Sequence, residues 1–297
     1  MNRSRRWGVG VALAVLWAPL GWTQGAGGAA PAEPLPVGIV ERPCPPAITL
    51  PATARELLAE LFIEPRKLAP ADLDRLLKDP QFHSFEEASR RLAARDWAGL
   101  CRFRADNAAV AAAQATTRVV FLGDSITENW ALADPALFER GVVNRGISGQ
   151  TTAQMLVRFR ADVVALHPKV VHILAGTNDV AGNTGPTSTA DFENNIMAMV
   201  EIARANGIRV VLGAIPPTAS FNWQPQLKPV PTIQALNGWL RAFAARQRLP
   251  YIDYYALLAG ASGEFPAALS NDGVHPNRAG YRLMRAKVER LVAGGSP

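Results

Sequence analysis

Cysteine, histidine and charge are all scarce in this chain. Its 297 residues include two cysteines and four histidines, and 19% of residues are charged. Neither Cys44 nor Cys101 stands at ligand spacing from a second cysteine, which excludes a zinc ribbon, an iron–sulfur cluster and a disulfide-dense scaffold. His83, His167 and His172 likewise lack a second histidine at metal-binding spacing. With 48% hydrophobic residues the chain is too apolar to be disordered. Repeats and low-complexity arrays are missing. Long apolar runs are missing too, apart from Trp7 to Trp22, which is short for a membrane span.

That run follows Arg3, Arg5 and Arg6 and precedes the small residues Gly25 to Ala30. The pattern is that of an export signal over residues 1–30, cleaved between Gly25 and Ala32; the alternative is an uncleaved anchor. Ser4-Arg5-Arg6-Trp7 faintly resembles a twin-arginine signal. No cysteine follows closely enough for a lipoprotein anchor. Without the signal, 28 basic residues face 25 acidic ones, and the net charge falls from +6 to about +3. Such a small, scattered excess gives no reason to expect a nucleic-acid partner. The expected location is periplasmic or secreted, in a bacterium, with no stable membrane insertion once the signal is removed. In such a compartment Cys44 and Cys101 can pair or remain buried thiols.

Residues 31–52 are rich in Pro and Ala and read as a linker. Residues 53–115 carry helical spacing: Leu57, Leu58, Leu61 and Phe62; then Asp72, Leu73, Leu76 and Leu77; then Phe85 to Leu92 and Trp97 to Val110. This region shows no catalytic constellation and reads as a helical module that packs on the next domain or on a partner. From residue 116 the texture alternates. Strands are expected at Val119–Leu122, Val142–Asn144, Val170–Leu174, Arg209–Gly213 and Tyr251–Asp253. Helices are expected near Thr151–Leu166, Ala190–Asn206, Thr232–Gln247 and Asn277–Val292. Alternation on this scale implies an α/β domain with a parallel, doubly wound sheet.

Four polar blocks punctuate that domain. Gly123-Asp124-Ser125-Ile126-Thr127 follows the first strand. Asn144 to Thr151 follows the second, and Gly176-Thr177-Asn178-Asp179 the third. Asn271 to Asn277 precedes the last helix. The carboxyl ends of parallel strands share one edge, so the first three can converge. Taken alone, Ser125 reads as either a helix cap or a nucleophile. Ester cleavage would need a base for it, and His275 has the imidazole to serve. Asp272, three residues earlier in a turn held by Gly273 and Pro276, could fix the imidazole tautomer. The backbone N–H groups of Ser125 and Gly149 and the side-chain amide of Asn178 could receive an oxyanion.

Together these blocks resemble the GDSL/SGNH hydrolase superfamily over roughly residues 117–293. Its marker serine, glycine, asparagine and histidine map in order onto Ser125, Gly149, Asn178 and His275, with Asp272 as the third triad member. The resemblance implies a flavodoxin-like three-layer α/β/α sandwich with a five-stranded parallel sheet, preceded here by the small helical N-terminal module. It implies hydrolysis of esters or thioesters without a metal or organic cofactor. Asp124 and Asp179 then hold loops, as do Asn144 and Thr127, and His172 is a core histidine. A metal cluster of Asp124, Asp179, Asp272 and His275, as in a phosphatase, would leave Ser125, Gly149 and Asn178 without a role.

The segment Ile215 to Pro231, with Phe221 and Trp223, leaves the same edge and reads as a pocket wall or a plain surface loop. The G-D-S-I-T form of the first block is shared with relatives that deacetylate carbohydrates. The expected substrate is therefore a short-chain ester, on a small molecule or a glycan. The alternatives are an O-acetyltransferase acting on a glycan, a lysophospholipase or thioesterase, and a non-enzymatic binding module.

Overall fold

A computed structural model describes residues 38–293, apart from 47, 65–70, 72–73, 75–76 and 114–115. The export signal, most of the Asp72 to Leu77 repeat and the first part of the linker lie outside the described residues. Among the described residues, helices α1 (Ala52–Phe62), α2 (Pro80–Ala93) and α3 (Arg104–Ala112) come first. The rest alternates: β1 (Val119–Gly123), α4 (Ser125–Ala133), β2 (Val142–Gly146), α5 (Thr152–Asp162), β3 (Val170–Leu174), α6 (Thr177–Ala181), α7 (Thr189–Ala205), β4 (Arg209–Gly213), α8 (Pro229–Gln247), β5 (Tyr251–Ile252), α9 (Tyr254–Leu258) and α10 (Arg278–Val292).

The five strands form one parallel sheet in the order β2-β1-β3-β4-β5. The continuous apolar runs of β1, β3 and β4 follow from burial on both faces. Val120, Leu122, Val171, Ile173, Val210 and Leu212 point to one side, where Met155 and Phe159 of α5, Phe192 to Val200 of α7 and Ile233 to Phe243 of α8 cover them. Val119, Phe121, Leu174 and Val211 point to the other, onto Trp130 of α4, Tyr254 of α9 and Tyr281 to Leu291 of α10. This is a three-layer α/β/α sandwich. The chain leaves β1 toward β2 on one side and returns to β3 on the other, so a crevice opens at the carboxyl end of β1.

Several boundaries differ from the sequence pattern for local reasons. Helix α8 begins at Pro229 rather than Thr232, because a proline costs nothing in the first turn. Asp253 leaves β5 and instead caps α9, accepting from the Ala256 amide at 2.9 Å. The Trp97 to Val110 stretch is helical only from Arg104. Before that, the Asp96 carboxylate accepts from the amides of Leu100 and Cys101, both at 2.7 Å, and Gly99 turns the chain at φ +72. There the bridge Cys44–Cys101 ties the extended arm to the turn, with Cα atoms 5.5 Å apart.

Helix α1 is joined to the sandwich. Phe62 and Ile63 belong to the same core as Trp130, Tyr281 and Met284. No helix among the described residues is long and apolar enough to cross a membrane.

Candidate active site

The tip of β1 is built from small and capping residues. A Cβ on Gly123 would meet the Leu174 carbonyl at 2.7 Å and Thr127 Oγ1 at 2.0 Å, so the turn closes tightly against β3 and its own helix. Asp124 caps α4 by accepting from the Ile126 amide at 2.9 Å. Ser125 is the first residue of α4. Its amide therefore has no acceptor within the helix and lies at the positive end of the helix dipole.

The fourth block meets this turn. His275 Nε2 lies 2.9 Å from Ser125 Oγ, and His275 Nδ1 lies 2.6 Å from Asp272 Oδ2. The other Asp272 oxygen accepts from the amides of Val274 and His275, at 2.9 and 2.8 Å. With Asp272 ionised, Nδ1 carries the proton and Nε2 offers its lone pair to the Ser125 hydroxyl. Burial by itself would depress the His275 pKa, but the Asp272 carboxylate, helped by Asp124, holds it above the ordinary value. Burial would raise Asp272, and the neighbouring His275 outweighs it, holding the carboxyl below its usual range.

The second and third blocks arrive from β2 and β3. Gly149 takes φ +79, a conformation open to glycine. The next carbonyl, that of Gln150, accepts from Asn178 Nδ2 at 3.0 Å. Asn178 Nδ2 also reaches Asp124 Oδ2 at 3.2 Å. So the Gly149–Gln150 turn, Asn178 and the β1 turn meet at one place. Burial pushes the Asp124 carboxyl up to about 7. Asp179 accepts from the amide and hydroxyl of Thr152 at the start of α5. Asn144 joins blocks one and two, donating to the Thr127 carbonyl at 2.6 Å and accepting from the Gly146 amide at 2.8 Å. Thr127 Oγ1 itself has no hydrogen-bond partner among the described residues. His172 lies in the core beside Tyr254, with its Nε2 at 3.0 Å from the phenol oxygen, and burial depresses its pKa to about 3.

Arg158 and Asn183 carry no sequence signal, and Trp223 is marked in the sequence only as an aromatic of the segment leaving the active edge. Arg158, fully buried, donates to the carbonyls of Gly123 and Arg145 and to Gln150 Oε1, and so ties blocks one and two to α5. Asn183 Nδ2 donates to Asn178 Oδ1 at 2.7 Å, and Trp223 Nε1 donates to Asn183 Oδ1 at 3.0 Å. These bonds turn the Asn178 amide so that Nδ2 faces blocks one and two. Phe221 is buried against Trp223 and Val274. No group of three or more His, Cys, Asp or Glu among the described residues is arranged to hold a metal ion.

The profile of the GDSL-like Lipase/Acylhydrolase family matches residues 121–283, which include all four blocks. The chain belongs to this family. A GDSL-like lipase structure from Bacteroides thetaiotaomicron is 39% identical, with TM-score 0.61 over 66% of this chain and 98% of that one. A candidate acylhydrolase structure from Bacteroides fragilis is 40% identical, with TM-score 0.63 over 67% and 98%. Esterase TesA of Pseudomonas aeruginosa is 32% identical over 162 residues, 52% of this chain and 73% of that protein. This GDSL-family protein is accordingly a carboxylic ester hydrolase. Helices α1 to α3 precede the matched region.

Proposed function

We propose that the protein is an exported serine esterase that cleaves short-chain esters, acetyl above all, through an acyl-enzyme on Ser125. The observation that carries this reading is the continuous hydrogen-bonded line Ser125–His275–Asp272 at the end of β1. His275 takes the Ser125 proton as Oγ attacks the carbonyl carbon. The amides of Ser125 and Gly149 and the Asn178 side chain receive the oxyanion. His275 then gives its proton to the leaving alcohol. Water, deprotonated by the same imidazole, releases the acid. Asp272 keeps Nδ1 protonated and balances the imidazolium.

A small acyl group is favoured by the G-D-S-I-T resemblance, which also extends the reading to O-deacetylation of carbohydrates. Export is supported by the signal-like N-terminus and by the Cys44–Cys101 bridge, since such bonds persist in oxidising compartments.

The test is hydrolysis of p-nitrophenyl esters from acetyl to palmitoyl, together with acetate release from acetylated glycans. Acetyl should be the preferred chain. Ser125→Ala should abolish turnover, and a fluorophosphonate should add to Ser125 alone. Full turnover by Ser125→Ala would overturn the assignment. A preference for long chains would overturn the substrate class.

A further inference from the structure

The family match begins at residue 121, yet the loop that carries His275 is gripped by residues 61–64, far upstream. Asn271 Nδ2 donates to the carbonyls of Leu61 and Glu64, at 2.9 and 2.6 Å. At the other end of the loop, the Arg278 amide donates to the Ile63 carbonyl at 2.8 Å. The Arg278 guanidinium pairs with the Glu64 carboxylate and also donates to the Ala133 carbonyl at 2.6 Å. The end of α1 is thus bound to both ends of the 271–278 loop. Between these anchors Phe62, 5% exposed, sets its ring against the His275 ring at 62° between planes.

That contact has a chemical use. The imidazole must keep Nδ1 on Asp272 while Nε2 serves first Ser125 and then the leaving group. Asp272 restrains one side of the ring through a single bond, about which the ring can still tilt. A second ring packed against it removes that freedom and keeps water from the imidazole.

Resting on the reading of His275 as the base, we propose that Phe62 is a positioning residue for the reaction. It holds the His275 ring in line with Ser125, so the N-terminal module completes the active site. Asp272 and Asp124 act on the charge of His275, and the Glu64–Arg278 pair closes the module against the loop.

The full chain is assayed with p-nitrophenyl acetate as wild type, Phe62→Ala, Phe62→Leu and Asn271→Ala. Removing the ring should lower kcat by about tenfold or more, with KM within about twofold. It should also move the acid limb of kcat/KM upward, because burial is the largest single influence that lowers the His275 pKa and water now reaches the ring. Phe62→Leu fills most of the volume without a flat ring and should show a smaller limb shift with a smaller loss. Asn271→Ala keeps Phe62 but frees one anchor, and should lower kcat in the same sense. If Phe62→Ala does not fold, Phe62→Leu and Asn271→Ala carry the test. Wild-type kcat and an unmoved acid limb in folded Phe62 variants would overturn the proposal. So would a rise in KM alone, which would make Phe62 a pocket wall only. Ser125→Ala and His275→Ala run alongside: turnover retained there would sink the reading of the site itself, whatever the Phe62 variants do.

Discussion

At the scale of single residues, the site is a set of side chains whose atoms have been assigned in advance. Asn178 shows this best. Its oxygen is occupied by Asn183, so its nitrogen must face Gln150 and Asp124. As an oxyanion donor, Asn178→Ala should cost about 10²–10³ in kcat. Asn183→Ala leaves the donor in place but unaimed, and should cost about tenfold, the worth of one ordinary hydrogen bond. Steady-state kinetics on the acetyl ester separate the two. Asp124 makes a different prediction. Its carboxyl titrates at about 7 when folded, against 3.8 as an ordinary aspartate, so the folded protein holds a proton that the unfolded chain has released. The stability this contributes is complete below 3.8 and is lost as pH rises through 7. Asp124→Asn keeps the cap on Ile126 and removes the titration. Its urea midpoint should decline less than that of the wild type between those two pH values. Ser125, Asp272 and His275 stood out in the sequence because their chemistry demands those residue types in short local patterns. Asn183 did not, and Trp223 stood out only as an aromatic of the pocket-wall segment, because a hydrogen bond spanning 40 residues leaves no local pattern.

Among the elements, legibility followed burial. β1, β3 and β4 lie inside a doubly covered sheet, and their apolar runs marked them to within a residue. β5 is two residues long at the sheet's edge and ran one residue short of its apolar pattern because Asp253 was needed as a cap. Helix α6, five residues that begin within the third block, carries no periodicity to read. The spacing of Leu57, Leu58, Leu61 and Phe62 announced an amphipathic helix, but periodicity names a face and not the surface it meets. Arg158 is the strongest case of an element-level role hidden in a helix. It sits on α5 with an ion pair to Asp162 at 3.1 Å, and it also donates to a carbonyl in each of β1 and β2 and to the Gln150 side chain. Arg158→Met leaves Asp162 and two carbonyls short of a donor in the core. The loss should be about 3–5 kcal/mol, measured as a fall in the urea midpoint at constant slope.

For the whole molecule, the question is how the N-terminal region and the sandwich share stability. Among the described residues, residues 61–64 on the His275 loop, the turn at 96–103 and helix α3 connect them. In that turn the Ala98 carbonyl accepts from Gln150 Nε2, and the following helix sends Asp106 to Arg145. The Cys44–Cys101 bridge spans a sequence separation of 57 residues that includes α1. Replacing both cysteines by serine should cost about 2–4 kcal/mol, seen as a lower thermal midpoint that dithiothreitol reproduces in the parent and leaves unchanged in the variant. If α1 holds the His275 loop, acetyl-ester turnover should begin to fall below the global unfolding temperature in the reduced protein.

The bridge also sets what a protease can achieve. A single cut anywhere between Glu64 and Cys101 severs the backbone but leaves residues 44–64 covalently attached through sulfur. Helix α1 would then stay docked on its loop in a two-piece protein. A nick in this stretch would be survived for as long as the surroundings remain oxidising.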